Sequence, residues 1–202
     1  MGDLVLLRHG ETEWSRTGRH TGRTDVPLTP YGEQQARAAG RLLAGRRFAL
    51  VLTSPLERAA RTAELAGLSG AVVEPDLVEW DYGAFEGLTS EQIQERGHPG
   101  WRIFRDGIEP PGESLQDVAA RVARVVARVR PVLEAGPEDG GDVALVGHGH
   151  ALRILATVWL EQAPEMGAQL VLGAASVSVL GSEHGVPAIV GWNRAAEVGT
   201  SG

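Results

Sequence analysis

Short apolar runs alternate along this chain with longer stretches of helical periodicity, a rhythm that predicts an α/β fold. Leu4 to Leu7 is a continuous apolar run closed by Arg8, His9 and Gly10, the pattern of a buried parallel strand opening into a loop. A polar, glycine-rich loop continues through Asp25. Thr29 and Pro30 then supply a cap and a first helical position for a helix over Tyr31 to Ala44, which Gly45 ends. Phe48 to Leu52 predicts a second strand. After it, Ser54, Pro55 and Glu57 read as N-cap, first helical residue and capping-box partner, which puts Arg58 in the first turn.

Further on, Ala71 to Glu74 predicts a minor strand, followed by an acidic, aromatic loop over Pro75 to Leu88 and a short capped helix over Thr89 to Arg96. Ser114 caps a long helix in which Leu115, Val118, Val122, Val125, Val126 and Val129 recur at helical spacing and form a core face. Arg121, Arg124 and Arg128 are expected on its wet side, and Pro131 is expected to kink or end it. A loop over 135–142, a strand over Val143 to Val146, a helix over Ala151 to Leu160, and strands over Ser176 to Leu180 and Ala188 to Val190 complete the pattern. The expected architecture is a three-layer α/β/α sandwich with a mainly parallel sheet, one domain over 1–202 with 193–202 as a flexible tail.

Composition narrows the chemistry. The chain has 202 residues, 43% apolar and 22% charged, enough for an ordinary globular core. With a net charge of −7 it has no general basic face, so neither nucleic acid nor an acidic membrane is an expected partner. Lysine is absent, which removes Schiff-base chemistry, and the cysteine count of zero removes thiol nucleophiles, disulfides and thiolate zinc sites. The longest apolar run after the N-terminus, Ile154 to Leu160, is a third of a membrane span. The expectation is a soluble cytoplasmic protein, with a homodimer left open.

One local repeat has geometric content: Leu4 to Gly10 and Val143 to Gly149 both run from an apolar strand into His-Gly. In an open α/β sheet the ligand crevice lies beyond the carboxyl ends of the strands, so adjacent strands would bring His9 and His148 into one pocket, with Arg8 and Arg58 beside them. That set describes an anion site. A neutral imidazole can attack phosphorus, while a second, protonated imidazole and two guanidinium forks can hold the phosphoryl oxygens, with no metal required. His148 and His150 stand two apart with no third ligand nearby in sequence, so no metal is expected. Glu79 and Asp81 are the candidates to protonate the leaving group. Trp14, Trp80, Trp101 and Phe104 are candidates for the pocket wall or for plain packing.

Six ordered blocks carry a resemblance. They are Arg8-His9-Gly10-Glu11-Thr12, Gly18 to Gly22 leading into Thr24 to Thr29, Ser54-Pro-Leu-Glu-Arg58, Glu79-Trp-Asp-Tyr-Gly83 with Glu86-Gly87, Gly112-Glu-Ser114, and Gly147-His148-Gly149. Together the chain resembles the histidine phosphatase superfamily, also called phosphoglycerate mutase-like. The resemblance implies that His9 is a nucleophile forming a phosphohistidine, that Arg8, Arg58 and His148 bind the phosphoryl group, and that Glu79 is the acid and base. It implies no cofactor and a small phosphorylated metabolite as partner, with Ser15, His20, Thr21, Gly22, Gly149 and Arg153 on the substrate side. Mutases of this superfamily carry a longer Arg- and Lys-rich insertion before the Gly-Glu-Ser block and Asn where this chain has Ser15, so a phosphatase is implied, and the blocks Trp80 to Gly87, Ile103 to Gly107 and His148 to Arg153 resemble the sedoheptulose bisphosphatase-like enzymes and their broad-specificity acid phosphatase relatives. The rival functions are a phosphoglycerate mutase-type phosphotransferase and a non-catalytic sensor of phosphorylated ligands. An acidic activity optimum is expected, since His9 must stay neutral while the acid is protonated.

Overall fold

The computed structural model describes residues 1–135 and 141–199. In chain order the elements are β1 (Leu4–Arg8), α1 (Glu13–Arg16), α2 (Pro30–Leu43), β2 (Phe48–Thr53), α3 (Glu57–Leu65), β3 (Val72–Val73), α4 (Ser90–Glu95), α5 (Ile103–Asp106), α6 (Leu115–Glu134), β4 (Asp142–Gly147), α7 (Gly149–Trp159), β5 (Val177–Glu183) and β6 (Val186–Arg194), with short 3-10 turns between some of them. The strands form one sheet in the order β3-β2-β4-β1-β5-β6. The first four positions run parallel, and β5 and β6 close the other edge antiparallel.

Period-two alternation along the central strands builds the layers. Leu4, Leu6, Val143 and Leu145 enter the core beneath α6 and α7, whereas Val5, Leu7, Ala144 and Val146 enter a second core with alanines of α2 and α3. This is the expected α/β/α sandwich. Parallel pairing of β1 with both the register and the direction of β4 sets Arg8 opposite Gly147, and β2 sets Thr53 opposite Val146. The segments beginning at His9, Ser54 and His148 therefore leave three adjacent strands at one end of the sheet.

Three expectations need correction. The helix after β2 starts at Glu57 with Leu56 as its N-cap and no side-chain cap bond; Ser54 instead turns its hydroxyl to the ring of His148. Pro131 lies in the last turn of α6, which ends at Glu134, and Leu133 beyond it is fully buried. Arg121 is not on the wet side but buried in a hydrogen-bonded cluster. Asn193 and Arg194 belong to β6, where Asn193 accepts the Gly173 N–H at 2.7 Å, so the expected tail starts at least two residues too early. Of the expected loop over 135–142, residues 136–140 lie outside the described residues, as do 200–202 of the tail. Among the described residues no helix is long and apolar enough to cross a membrane.

Candidate active site

His9 follows β1 and is 4% exposed. Its Nδ1 lies 2.7 Å from the Gly10 carbonyl oxygen, and because a carbonyl can only accept, Nδ1 carries the proton and Nε2 keeps the lone pair. Burial, reinforced by Arg8 and Arg58, holds this imidazole far below the usual histidine range, so it is neutral. Gly10 makes the turn possible: a Cβ there would come within 2.3 Å of the Gly32 carbonyl oxygen.

His148 stands at the N-terminus of α7, its ring centre 5.2 Å from that of His9. Here the tautomer is the opposite one. Arg58 Nε donates to His148 Nδ1 at 3.2 Å, so the proton is on Nε2, which faces Ser54 Oγ at 2.7 Å. Burial first, then the charges of Arg58, His9 and Arg8, keep this ring neutral as well. The expected imidazolium is thus corrected: a buried ring that accepts from a guanidinium has no site for a second proton.

Arg58 is fully buried. Its Nη1 donates to the Thr24 carbonyl at 2.8 Å and its Nη2 to those of Thr21 and Gly22 at 3.1 and 3.0 Å. Glu86 holds the same loop from the other side by accepting the N–H groups of Gly22 and Thr24. Gly22 is needed where these elements meet, since a Cβ would lie 2.5 Å from the Trp80 carbonyl oxygen. Arg8, by contrast, spends Nη1 on the Leu172 carbonyl and leaves its buried Nε with no partner among the described residues. A buried, unmatched cationic donor is costly unless something anionic completes it.

Glu79 is 4% exposed. Its carboxylate accepts the N–H of Trp80 and of Ala151 on Oε1, both at 2.9 Å, and that of His150 on Oε2 at 3.0 Å, so the start of α7 grips it. Asp81 turns elsewhere, toward the Gly83 N–H and Arg23.

A cavity of about 180 Å3 opens above these groups. Arg8, His9, Ser15, His20, Thr21, Glu79, Gly149 and Arg153, all singled out in the sequence, line it. Arg58, His148 and Gly22 do not line it; all three are buried around it. His20 packs its ring 4.8 Å from Tyr82 and edge-on to Trp101, and burial pushes its imidazole down to about 4. Arg153 donates Nε to the Gly167 carbonyl at 2.8 Å, with its guanidinium carbon 4.6 Å from the centre of the Phe104 ring. Among the described residues no group of three or more His, Cys, Asp or Glu is placed to hold a metal ion.

A family profile described as the histidine phosphatase superfamily (branch 1) matches residues 4–195. The chain belongs to that superfamily. Similar to this histidine phosphatase is a Mycobacterium tuberculosis protein named acid phosphatase, 43% identical over 91% of this chain and 88% of its own. A sedoheptulose 1,7-bisphosphatase of Saccharomyces cerevisiae is 39% identical over 77% of this chain, which spans 66% of that longer relative. A mycobacterial glucosyl-3-phosphoglycerate phosphatase solved in complex with VO3 superposes with a TM-score of 0.84 at 33% identity, covering 96% of this chain and 99% of that one.

Sequence reasoning missed other lining groups of this histidine phosphatase. Tyr82 and His150 share a 2.7 Å hydrogen bond in the wall, and Arg19 stands at the rim with no side-chain partner among the described residues. Each lies within three positions of a residue singled out in a motif, but only the packing of the 79–88 loop against α7 joins Tyr82 to His150. Of the two alternatives left for Trp80, wall or plain packing, the fold has the second: it is fully buried in the core.

Proposed function

We propose that this chain hydrolyses small phosphomonoesters, sugar phosphates or related metabolites, through a phosphohistidine on Nε2 of His9. The observation that carries this is the fixed tautomer of His9: Nδ1–H is spent on Gly10, which leaves the lone pair on Nε2, and His9 lines one cavity with Glu79 and with Arg8, whose buried Nε has no partner among the described residues. In the first step Nε2 bonds to phosphorus as the ester P–O bond breaks, and Glu79 delivers its proton to the departing alkoxide. In the second, Glu79 takes a proton from water, whose oxygen displaces the imidazole and releases inorganic phosphate.

The supporting roles follow from charge. Arg8 donates directly to a phosphoryl oxygen. Arg58, one layer below, contributes its charge and fixes His148, whose Nε2–H is the donor that can pass from Ser54 to the phosphoryl group. Ser15, His20, Thr21, Gly149 and Arg153 meet the rest of the substrate, and the relatives' substrates support a phosphorylated sugar or glycerate there. Because the depressed His9 remains neutral well into acid, the nucleophile is preserved there, which supports an acidic working range.

The test is hydrolysis of p-nitrophenyl phosphate by wild type and His9→Ala. We expect a loss on the order of a thousandfold or more; comparable rates would overturn the assignment. Phosphoglycerate isomerised without phosphate release would instead make the chain a mutase, and phosphate binding without turnover of any phosphomonoester would make it a sensor.

A further inference from the structure

We propose that the ion pair of part-buried Glu113 with buried Arg121 is the positioning device for Glu79, acting through the main chain on both sides of it; this rests on the general-acid role given to Glu79 above. Arg121 lies on α6 and is 6% exposed. Its Nη1 donates to the carbonyls of Asp76 and Val78 at 2.8 and 2.6 Å, the second of these immediately preceding Glu79. Its Nε and Nη2 make a forked pair with Glu113 at 2.9 and 3.1 Å.

Glu113 in turn grips the residues that follow Glu79. Its Oε2 accepts the Asp81 N–H at 2.9 Å, its carbonyl accepts the Trp80 indole N–H at 2.8 Å, and its own N–H donates to the Asp81 carbonyl at 3.0 Å. Val78, Trp80 and Asp81 are therefore tied to one bidentate charge pair, while the carboxylate between them is oriented by N–H groups of α7. Two elements from different parts of the chain thus fix one side chain, the backbone from α6 and the head group from α7. A bidentate pair with one partner buried is a weak source of net stability but a strong source of fixed geometry. A proton donor needs such geometry, since misplacement by about 1 Å can cost on the order of a hundredfold.

General-acid help matters in proportion to the basicity of the leaving group: nitrophenolate departs unaided, whereas a sugar or glycerol alkoxide needs the proton. The experiment is therefore kcat/KM for p-nitrophenyl phosphate and for glycerol phosphate, measured on the same samples of wild type, Glu113→Gln, Arg121→Lys and Glu79→Gln. The ratio of the two substrates cancels any difference in folded fraction. We expect Glu113→Gln to lose on the order of 30-fold on glycerol phosphate and under about threefold on the aryl ester, with Arg121→Lys in the same direction and Glu79→Gln more selective than either. Equal losses on both substrates for Glu113→Gln, beside a selective loss for Glu79→Gln, overturn the positioning role alone. Equal losses for Glu79→Gln remove its general-acid role, and the positioning role with it.

Discussion

The buried layer that underlies the cavity lining as its floor, and the rim, use the same residue types in opposite ways. On the floor every nitrogen of the Arg58 guanidinium is bonded to the protein, and both nitrogens of His148 are occupied. At the rim Arg19 has no side-chain partner among the described residues, and Arg153 is held through Nε and the face of Phe104. Arg8 stands between, with one nitrogen spent on Leu172 and a buried one unmatched. A cation with all its bonds made to the protein sets tautomers and potential; a cation with donors to spare meets whatever enters. Variants of the two sets should therefore fail differently.

The largest effect is expected at the floor. Arg58→Met removes the donor that sets the His148 tautomer and takes the partner from the carbonyls of Thr21, Gly22 and Thr24, of which that of Gly22 is buried. We expect kcat/KM to fall on the order of a thousandfold on every phosphomonoester, aryl or alkyl. Stability should fall by about 3 kcal/mol, the cost of unmatched buried polar groups, which corresponds to about 6 to 12 °C in Tm for a chain of this size. Thermal unfolding beside kinetics on two substrates checks both. A variant with wild-type Tm, or with loss confined to one substrate, would place Arg58 among the rim residues.

Acid separates the regions next. The His20 imidazole is held at about 4 by burial, against about 6.5 when unfolded. Between those values the unfolded chain binds the extra proton and the folded chain does not, so stability is greatest above about 6.5 and declines as pH falls toward 4. His20 alone should remove about 2 kcal/mol between pH 7 and pH 5. His9, His148 and His150 are depressed for the same first reason, burial, and act with the same sign. The measurement is the unfolding free energy at the two pH values for wild type and His20→Gln, without phosphate. The substitution should flatten the decline by that amount, and an unchanged slope would show that His20 titrates normally in the folded chain.

Which of these groups could be read from sequence follows from how far away their partners are. His9 and His148 were legible because an apolar strand followed by His-Gly is a local pattern, and parallel pairing of adjacent strands does the rest. The helix face of Val118, Val122, Val125 and Val129 was legible for the same reason. Arg121 was not: it borders that face, and what draws it inward is the carbonyls of Asp76 and Val78, more than 40 positions away. Ser54 misled because a capping pattern is local, whereas its hydrogen bond to His148 spans 94 positions. The neutrality of His148 was hidden too, since only the fold shows that a guanidinium points at its Nδ1.

The smallest effect is expected at the rim, and it should discriminate between substrates. Arg153 has Nε fixed on the Gly167 carbonyl and its plane resting over Phe104, which leaves the two terminal nitrogens for the cavity. Burial lowers its pKa without removing its charge, since an arginine begins from far above neutrality. A group so placed can meet the distal part of a sugar phosphate but nothing on the phosphoryl group itself, which His9 and Arg8 approach from below. Arg153→Ala should therefore raise KM for a sugar phosphate by about tenfold, or about 1.4 kcal/mol. The same variant should leave kcat/KM for p-nitrophenyl phosphate within about twofold, since that ester offers no distal hydroxyl or charge. Parallel losses on both esters would instead mean that removing the side chain disturbs the floor, and the division between a wired floor and a selective rim would fail at this position.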